Sequence, residues 1–454
     1  MRYASAIAAL LLSVLVWRGR RLLYNNILFT PPLPLAYYTY GNATLQCASP
    51  RADDADLPFA NDAKSSPANE FKYCEDAVFW DIHPHARQPH STRRAIISCD
   101  AGRKAWNTVM GPLLDPEPKG SLWVMDVAKG AAPVRLELAG FPPDHDFHPL
   151  GLDIYPSHDG EPSNLFVVNH ARGRTCIEQF SVSPSGEAIA TYVRTLDSLY
   201  FNSANSLALT SPTSFLVTND HLFTRRLPFP FNHLLPITES ILSLPLGWVA
   251  HVRLEPADDR SDREDAESAA GSPQAIATVD VVAPFIPFPN GVAVSPTRDT
   301  VAVASTTTAE VRLYHVAGRS NHVSFIPDLT NYGLELRDTV PLPFLPDNLH
   351  FADDGSLVVA GHPNFPKLAA LARGGTDPAG SWVVRIARKD VEKPGHDAPA
   401  PDTVHPRYDI QTLYQSNGAQ LQTSSAGLYD VGKGLLIMAG LYAEPGVLMC
   451  ASAS

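Results

Sequence analysis

Four oxygen-bearing side chains recur at one register of this sequence: Glu75, Asn205, Asn290 and Asp347. Each is followed two positions later by an apolar, small-or-polar, apolar run, as in Asn205-Ser206-Leu207-Ala208-Leu209 and Glu75-Asp76-Ala77-Val78-Phe79. Leu150 and Ser425 occupy the same register in two further copies. An isolated Asn or Asp before a strand is an ordinary turn residue; recurrence at one register is what suggests a shared task. Gathered in a narrow, dehydrated space, unpaired groups of this kind cost about 1–3 kcal/mol each, and more for carboxylates. One cation would satisfy them together. The donors are all oxygen, carry two formal negative charges and include no Cys or His, which selects Ca²⁺ over Zn²⁺ or copper. Mg²⁺ fits less well, because it keeps several of its waters. Histidines stand nearby in sequence at strand ends: His148, His170, His221 and His362.

The elements that would position these residues repeat as well. After each marked residue comes a strand, a turn and a returning apolar strand: Phe215-Leu216-Val217-Thr218 after Asn205, Leu357-Val358-Val359-Ala360 after Asp347, and Ala95-Ile96-Ile97-Ser98 after Glu75. Asp353-Asp354-Gly355 is one of the turns, and Leu435-Leu436-Ile437-Met438 closes the last copy. Six such units, 55 to 85 residues apart, predict an all-β fold, a six-bladed β-propeller over residues 71–452. The innermost strands of a propeller surround a central channel, so equivalent positions face one axis.

The chain has 454 residues, 44% of them apolar, with a net charge of −12. No basic patch is present, which excludes nucleic acid as a partner. Met1-Arg2 precedes an apolar run from Tyr3 to Trp17, then Arg18-Gly19-Arg20-Arg21. Fifteen residues are short for a span, which needs about 20. Residues 1–24 therefore read as a signal anchor or a cleaved signal peptide, the former permitting membrane association. The arginines after the run would by themselves keep the following chain in the cytoplasm, but the cysteines point to an oxidising compartment. Cys47 and Cys450 flank the repeats, where a bond would lock the ring's two ends, worth ~4–5 kcal/mol in the chain-entropy model. Cys74 and Cys99 begin and end the first hairpin and form a second expected pair, leaving Cys176 as a buried thiol. Asn42-Ala43-Thr44 is an N-glycosylation acceptor. Together these place the protein in the secretory pathway, lumenal or extracellular. Residues 25–70 read as a Pro-rich and polar linker, and 258–274 and 387–406 as surface loops. One helix is expected over Pro236–Gly247, lying over one face after Leu227-Pro228-Phe229-Pro230-Phe231.

The motifs Glu75-Asp76, Val167-Val168-Asn169-His170, Thr218-Asn219-Asp220-His221, Pro289-Asn290-Gly291, Asp347-Asn348 and His362-Pro363-Asn364 resemble those of the serum paraoxonase/arylesterase family. The resemblance runs from the apolar N-terminus to the last cysteine. It implies a calcium-dependent propeller hydrolase of aryl esters and lactones, with small-molecule substrates. It implies a catalytic calcium held by Glu75, Asn205, Asn290, Asp347 and Asn348, and a retained N-terminal anchor. It also puts the ring-closing disulfide on Cys47 and Cys450. Two positions depart from the family's pattern. One of its two catalytic histidines falls on His170, but the other falls on Leu150. A second, structural calcium would use Asp76, the Leu152 carbonyl and an aspartate that here is Ser206.

The expected chemistry is carbonyl polarisation by the cation while a base activates water. Candidate bases are His170 acting alone, His148 or Asp347. Phe288, Tyr442, His221, His362 and the Leu227–Phe231 stretch are expected around the substrate. The alternative is a calcium-binding propeller without catalysis, which Leu150 favours. The sequence sets no oligomeric state.

Overall fold

The computed structural model describes residues 45–50, 70–83, 92–117, 119–127, 132–255, 276–317, 332–389 and 403–452, with isolated positions before residue 45. Six sheets of four or more strands, antiparallel apart from a short parallel strand added to each of the first two blades, surround one axis. Their innermost strands are β1 (Cys74–His83), β2 (Pro149–Ile154), β3 (Ala204–Ser211), β4 (Pro289–Val294), β5 (Leu345–Phe351) and β6 (Ser424–Asp430). All six marked positions fall at the beginnings of these strands.

Second strands are almost continuously apolar because both faces are covered. Successive side chains of a strand point to opposite faces, and here each face packs on a different neighbouring blade. Ile97 of the first blade joins a cluster with Leu428 and Ile437 of the sixth. Ile96, its neighbour in sequence, joins Leu152, Leu165 and Phe180 of the second. The same division places one apolar cluster in each of the six gaps between blades.

The ring closes with strands from both ends of the chain. Leu45–Ala48 pairs with Val447–Ser452 as the outer strand of the sixth blade, and Cys47 is bonded there to Cys450. Tyr37–Tyr38 adds an outer strand to the fifth blade beside Tyr408–Ser416. The linker expected over 25–70 thus contributes two strands, and the propeller begins well before residue 71. Their shortness, two and four residues amid proline and polar sequence, hid them. Cys74 and Cys99 form the second disulfide across the first hairpin, and Cys176 is free and buried. At the far end of the channel Arg93 ties three blades together, meeting Asp81 and Asp353 at 2.7 Å each and Asp430 at 3.6 Å.

Two helices stand on the near face. Helix α1 spans Phe231–Ile241, earlier in the chain than the expected 236–247. It stops there because Ser243 takes a positive φ of 49° and the strand of the third blade begins at Gly247. Helix α2 spans Phe365–Ala372, and its N-cap Asn364 accepts a hydrogen bond from the Lys367 N–H. Among the described residues no helix is long and apolar enough to cross a membrane. Asn42, most of residues 1–24 and residues 256–275, 318–331 and 390–402 lie outside the described residues.

Candidate active site

Close approach of the inner strands makes the site possible. A Cβ at Gly151 would stand 2.5 Å from Ser206 Cα and 2.6 Å from Asn205 O, and one at Gly291 would stand 2.7 Å from Asn348 Cα. Glycine directly after Leu150 and Asn290 therefore lets β2 reach β3 and β4 reach β5. Side-chain hydroxyls join the strand ends between blades: Thr218 Oγ1 donates to Asn290 O (2.5 Å) and Thr306 Oγ1 to Pro346 O (2.7 Å). Ser425 turns its hydroxyl away to Cys74 O (3.1 Å). That small residue leaves room for the fifth and first blades to meet across it, where Asn348 Nδ2 donates to Glu75 Oε1 at 2.8 Å.

Glu75, Asn205, Asn290, Asp347 and Asn348 are all buried. Four of them present an oxygen with no hydrogen-bond partner among the described residues: Glu75 Oε2, Asn205 Oδ1, Asn290 Oδ1 and Asn348 Oδ1. The amide nitrogens are used elsewhere, since Asn205 Nδ2 donates to Asp220 Oδ2 (3.2 Å) and Asn348 Nδ2 to Glu75. His362 Nε2 donates to Asp347 Oδ2 (2.8 Å), fixing that carboxylate. Unmet, buried, all-oxygen donors that include carboxylates are what a hard cation requires. The residues fit one.

Asp76 is different. Its Oδ1 accepts from the Ala77 N–H (2.9 Å) and His350 Nε2 (2.9 Å), and its Oδ2 from the Leu152 N–H (3.2 Å). Protein donors already serve this carboxylate, and Leu152 turns its N–H toward it. With Ser206 in place of an acid, the structural-calcium expectation on Asp76 and Leu152 lacks the unmet oxygens of the first site.

Above the oxygens is a cavity of about 150 Å³. Its polar floor holds Glu75, Asn205, Asn290, Asp347, Asp220, Arg103, His148, His170 and His362. Its apolar walls include Trp106, Phe288, Leu345 and Tyr442, with Phe365 and Leu368 of α2. The cover comes from α2 and the 106–111 segment. Helix α1, expected to lie over one face, packs to the side of the cavity, where Glu239 accepts from the Leu222 and Phe223 N–H groups and holds the 220–223 loop. Phe229 and Phe231 of the Leu227–Phe231 stretch point to solvent at 79% and 54% exposure and form no wall. His221 is also outside the lining. It is fully buried, edge-on to Phe288 with ring centroids 4.4 Å apart, and bonded through Nε2 to Ser240 Oγ (2.7 Å).

The two candidate histidine bases stand in opposite conditions. His170 is engaged at both nitrogens. Its Nε2 lies 2.6 Å from Ala204 O, an acceptor, so Nε2 carries the proton; its Nδ1 is then the acceptor for Thr108 Oγ1 at 2.6 Å. Burial pushes this imidazole down to about 4. His148 instead donates Nδ1–H to Asp100 Oδ2 (2.9 Å) and leaves Nε2 buried without a hydrogen-bond partner among the described residues. Trp106 stacks on its ring at 5.0 Å and 23°. Asn169 Oδ1 accepts the His148 backbone N–H (2.8 Å), and Arg103 Nη2 donates to the neighbouring Pro149 O (2.8 Å).

Asp100, Arg103, Trp106 and Thr108 were not singled out from the sequence. They belong to the connection after the second strand of the first blade, which has no counterpart in the repeat. Asp220 was visible only as part of the Thr218–His221 motif.

The fold and site define a propeller whose channel mouth joins a ring of carboxylate and amide oxygens to an acid-supported histidine beneath an apolar cover. The family model described as Arylesterase matches residues 111–257 and 272–445. Human (Homo sapiens) serum paraoxonase/lactonase 3 is 29% identical over 321 residues, covering 70% of this chain and 74% of that protein. Chicken (Gallus gallus) serum paraoxonase/arylesterase 2 is 26% identical over 337 residues, covering 72% and 78%. Among solved structures, a luciferin-regenerating enzyme aligns over 85% of this chain and 93% of its own at 10% identity, with a TM-score of 0.41. This chain belongs to the arylesterase family, and with it to the hydrolases of small ester or lactone substrates.

Proposed function

We propose that the protein is a calcium-dependent hydrolase of aryl esters and lactones, in which His148 rather than His170 is the general base. The observation that carries this reading is the presence around one cavity, among the described residues, of unmet buried oxygens on Glu75, Asn205, Asn290 and Asp220 and of unmet imidazole nitrogens on His148 and His362, of which His148 alone is backed by an acid outside the ligand set. Glu75, Asn205, Asn290, Asp347 and Asn348 would hold the ion. Bound there, calcium supplies polarisation of the substrate carbonyl and stabilises the negative charge that its oxygen gains in the transition state.

The chain's own residues do the rest. The apolar walls hold the aryl or ring portion; a cavity of about 150 Å³ is the size that admits benzene when lined by apolar side chains. His148 Nε2 takes a proton from the attacking water. Asp100 holds the tautomer that leaves Nε2 free and stabilises the imidazolium formed, the part an acid plays behind a histidine base. The proton then passes from Nε2 to the departing alkoxide or phenoxide. His362 keeps Asp347 aligned, so Asp347 serves as ligand rather than base. His170, donating to Ala204 O beside Asn205, braces the ligand strand.

Leu150, the ground for a binding module without turnover, is no obstacle when His148 supplies the base two residues earlier. The proposal is tested by hydrolysis of phenyl acetate and a medium-chain δ-lactone by the purified chain, with calcium and with EGTA. Turnover lost in EGTA and restored by calcium is expected. Calcium binding without turnover on either substrate would move the weight to the binding module.

A further inference from the structure

On the outer side of the strand Ser163–Asn169, which His170 follows, three residues with metal-binding side chains converge away from the channel. Cys176 and Glu178 alternate along the strand Cys176–Val182 and so share a face. His145 reaches them from the loop before β2. His145 Nε2 is 2.7 Å from Glu178 Oε1, Cys176 Sγ is 3.2 Å from the same oxygen, and Sγ and Nε2 are 3.9 Å apart. We infer that His145, Cys176 and Glu178 form a zinc site, separate from the oxygen ring and built into the second blade.

Donor crowding on one oxygen carries the inference. Glu178 Oε1 is approached by His145 Nε2, Cys176 Sγ and, at 2.8 Å, Asn169 Nδ2. A carboxylate oxygen offers about two lone-pair sites, so three protons compete for them. Of the three groups only the amide must donate; the imidazole nitrogen and the sulfur can each present a lone pair instead. One cation in place of those two protons relieves the competition and leaves Asn169 as an outer-shell donor to the ligating oxygen. Thr195 Oγ1 fixes the other oxygen at 2.6 Å, so the carboxylate is oriented at both ends, as metal carboxylates commonly are. Tetrahedral zinc with one sulfur, one nitrogen and one oxygen ligand spaces them by ~3.4–3.6 Å, within the 2.7–3.9 Å range found here. A thiolate and an imidazole select zinc over calcium or magnesium. Glu178 and Cys176 are fully buried while the His145 side chain is 24% exposed, which gives the ion an entrance and a fourth position for water.

The site is coupled to the cavity through one residue. Asn169 donates to Glu178 through Nδ2 and accepts the His148 N–H through Oδ1. Zinc would therefore brace the loop that carries His148.

Cobalt reports on this directly. The full chain, kept in excess calcium, is titrated with Co²⁺ alone and then with Zn²⁺. One Co²⁺ per chain is expected to bind with a thiolate-to-cobalt charge-transfer band that calcium does not remove and Zn²⁺ does. Cys176→Ala, with an unchanged circular dichroism spectrum, should lose the band. His145→Gln, at the partly exposed end, should weaken Co²⁺ binding at least tenfold and serves if the cysteine variant does not fold. Thr195→Val should weaken it 10- to 100-fold as an outer-shell change. A folded wild-type chain with no such band, a band that persists in Cys176→Ala, or Co²⁺ fully displaced by calcium would each overturn the zinc site.

Discussion

His148 donates its Nδ1–H to Asp100 across 2.9 Å, both side chains 1% exposed, and its buried Nε2 has no hydrogen-bond partner among the described residues. A histidine buried with one nitrogen committed to a carboxylate and the other unused has its tautomer set. Replacing the acid should disturb that setting without emptying the site. Asp100→Asn is expected to lower kcat on phenyl acetate on the order of tenfold to a hundredfold, with little change in KM and an altered pH profile. An unchanged kcat and profile would make Asp100 merely structural.

The oxygen ring makes a separate prediction. Asn290→Ala removes an unmet oxygen but no charge. Calcium affinity measured by titration calorimetry should fall about tenfold or more, the equivalent of ~1.4 kcal/mol, while the thermal unfolding of the calcium-free protein stays close to wild type. Calcium affinity equal to wild type would remove Asn290 from the ligand set.

Ring closure should show in stability. The Cys47–Cys450 bond closes a separation of 403 residues and Cys74–Cys99 one of 25. In the chain-entropy model, Cys47→Ser with Cys450→Ser costs about 6 kcal/mol and Cys74→Ser with Cys99→Ser about 3.5. Denaturant unfolding of the two double variants measures the order, and a larger loss from the hairpin bond would contradict it.

Acid should weaken the fold through two buried histidines. Burial pushes His170 and His251 each down to about 4, while an unfolded histidine titrates near 6.5. Below that value the unfolded chain takes up protons that the folded one refuses. Their contribution is complete above about pH 6.5 and drains away as pH falls toward 4, by up to about 3 kcal/mol for each. His251 stacks on Tyr332, 4.3 Å away in the third-to-fourth blade contact and remote from the channel. His251→Gln should therefore flatten the pH dependence of the unfolding midpoint between 6.5 and 4.5. A slope equal to wild type would show that this ring does not titrate on unfolding.

The convergence of the oxygen-bearing positions was legible because one strand plan repeats and a propeller turns equal register into equal place. Glu75, Asn205, Asn290 and Asp347 could be read without any coordinates. The base could not. His170 follows a strand, as a catalytic histidine might, but the groups that occupy its ring, Thr108 Oγ1 and Ala204 O, come from two other blades. His148 owes its orientation to Asp100, 48 residues away in a connection with no repeat to mark it. Tyr37–Tyr38 and Leu45–Ala48 looked like linker because an outer strand needs only a few backbone hydrogen bonds, which leave little trace in side-chain pattern. Helix α2 went unnoticed because Phe365-Pro366 opens it, and proline reads as a breaker unless its place in the first turn is recognised.

The most direct measurement compares His148→Gln with His170→Gln on phenyl acetate at saturating calcium, with calcium affinity determined for both. Loss of the base should reduce kcat by about 10²–10⁴-fold in His148→Gln at unchanged calcium affinity, while His170→Gln retains turnover within about tenfold of wild type. Full activity in His148→Gln, with collapse in a calcium-loaded, folded His170→Gln, would contradict the account and return the base to His170.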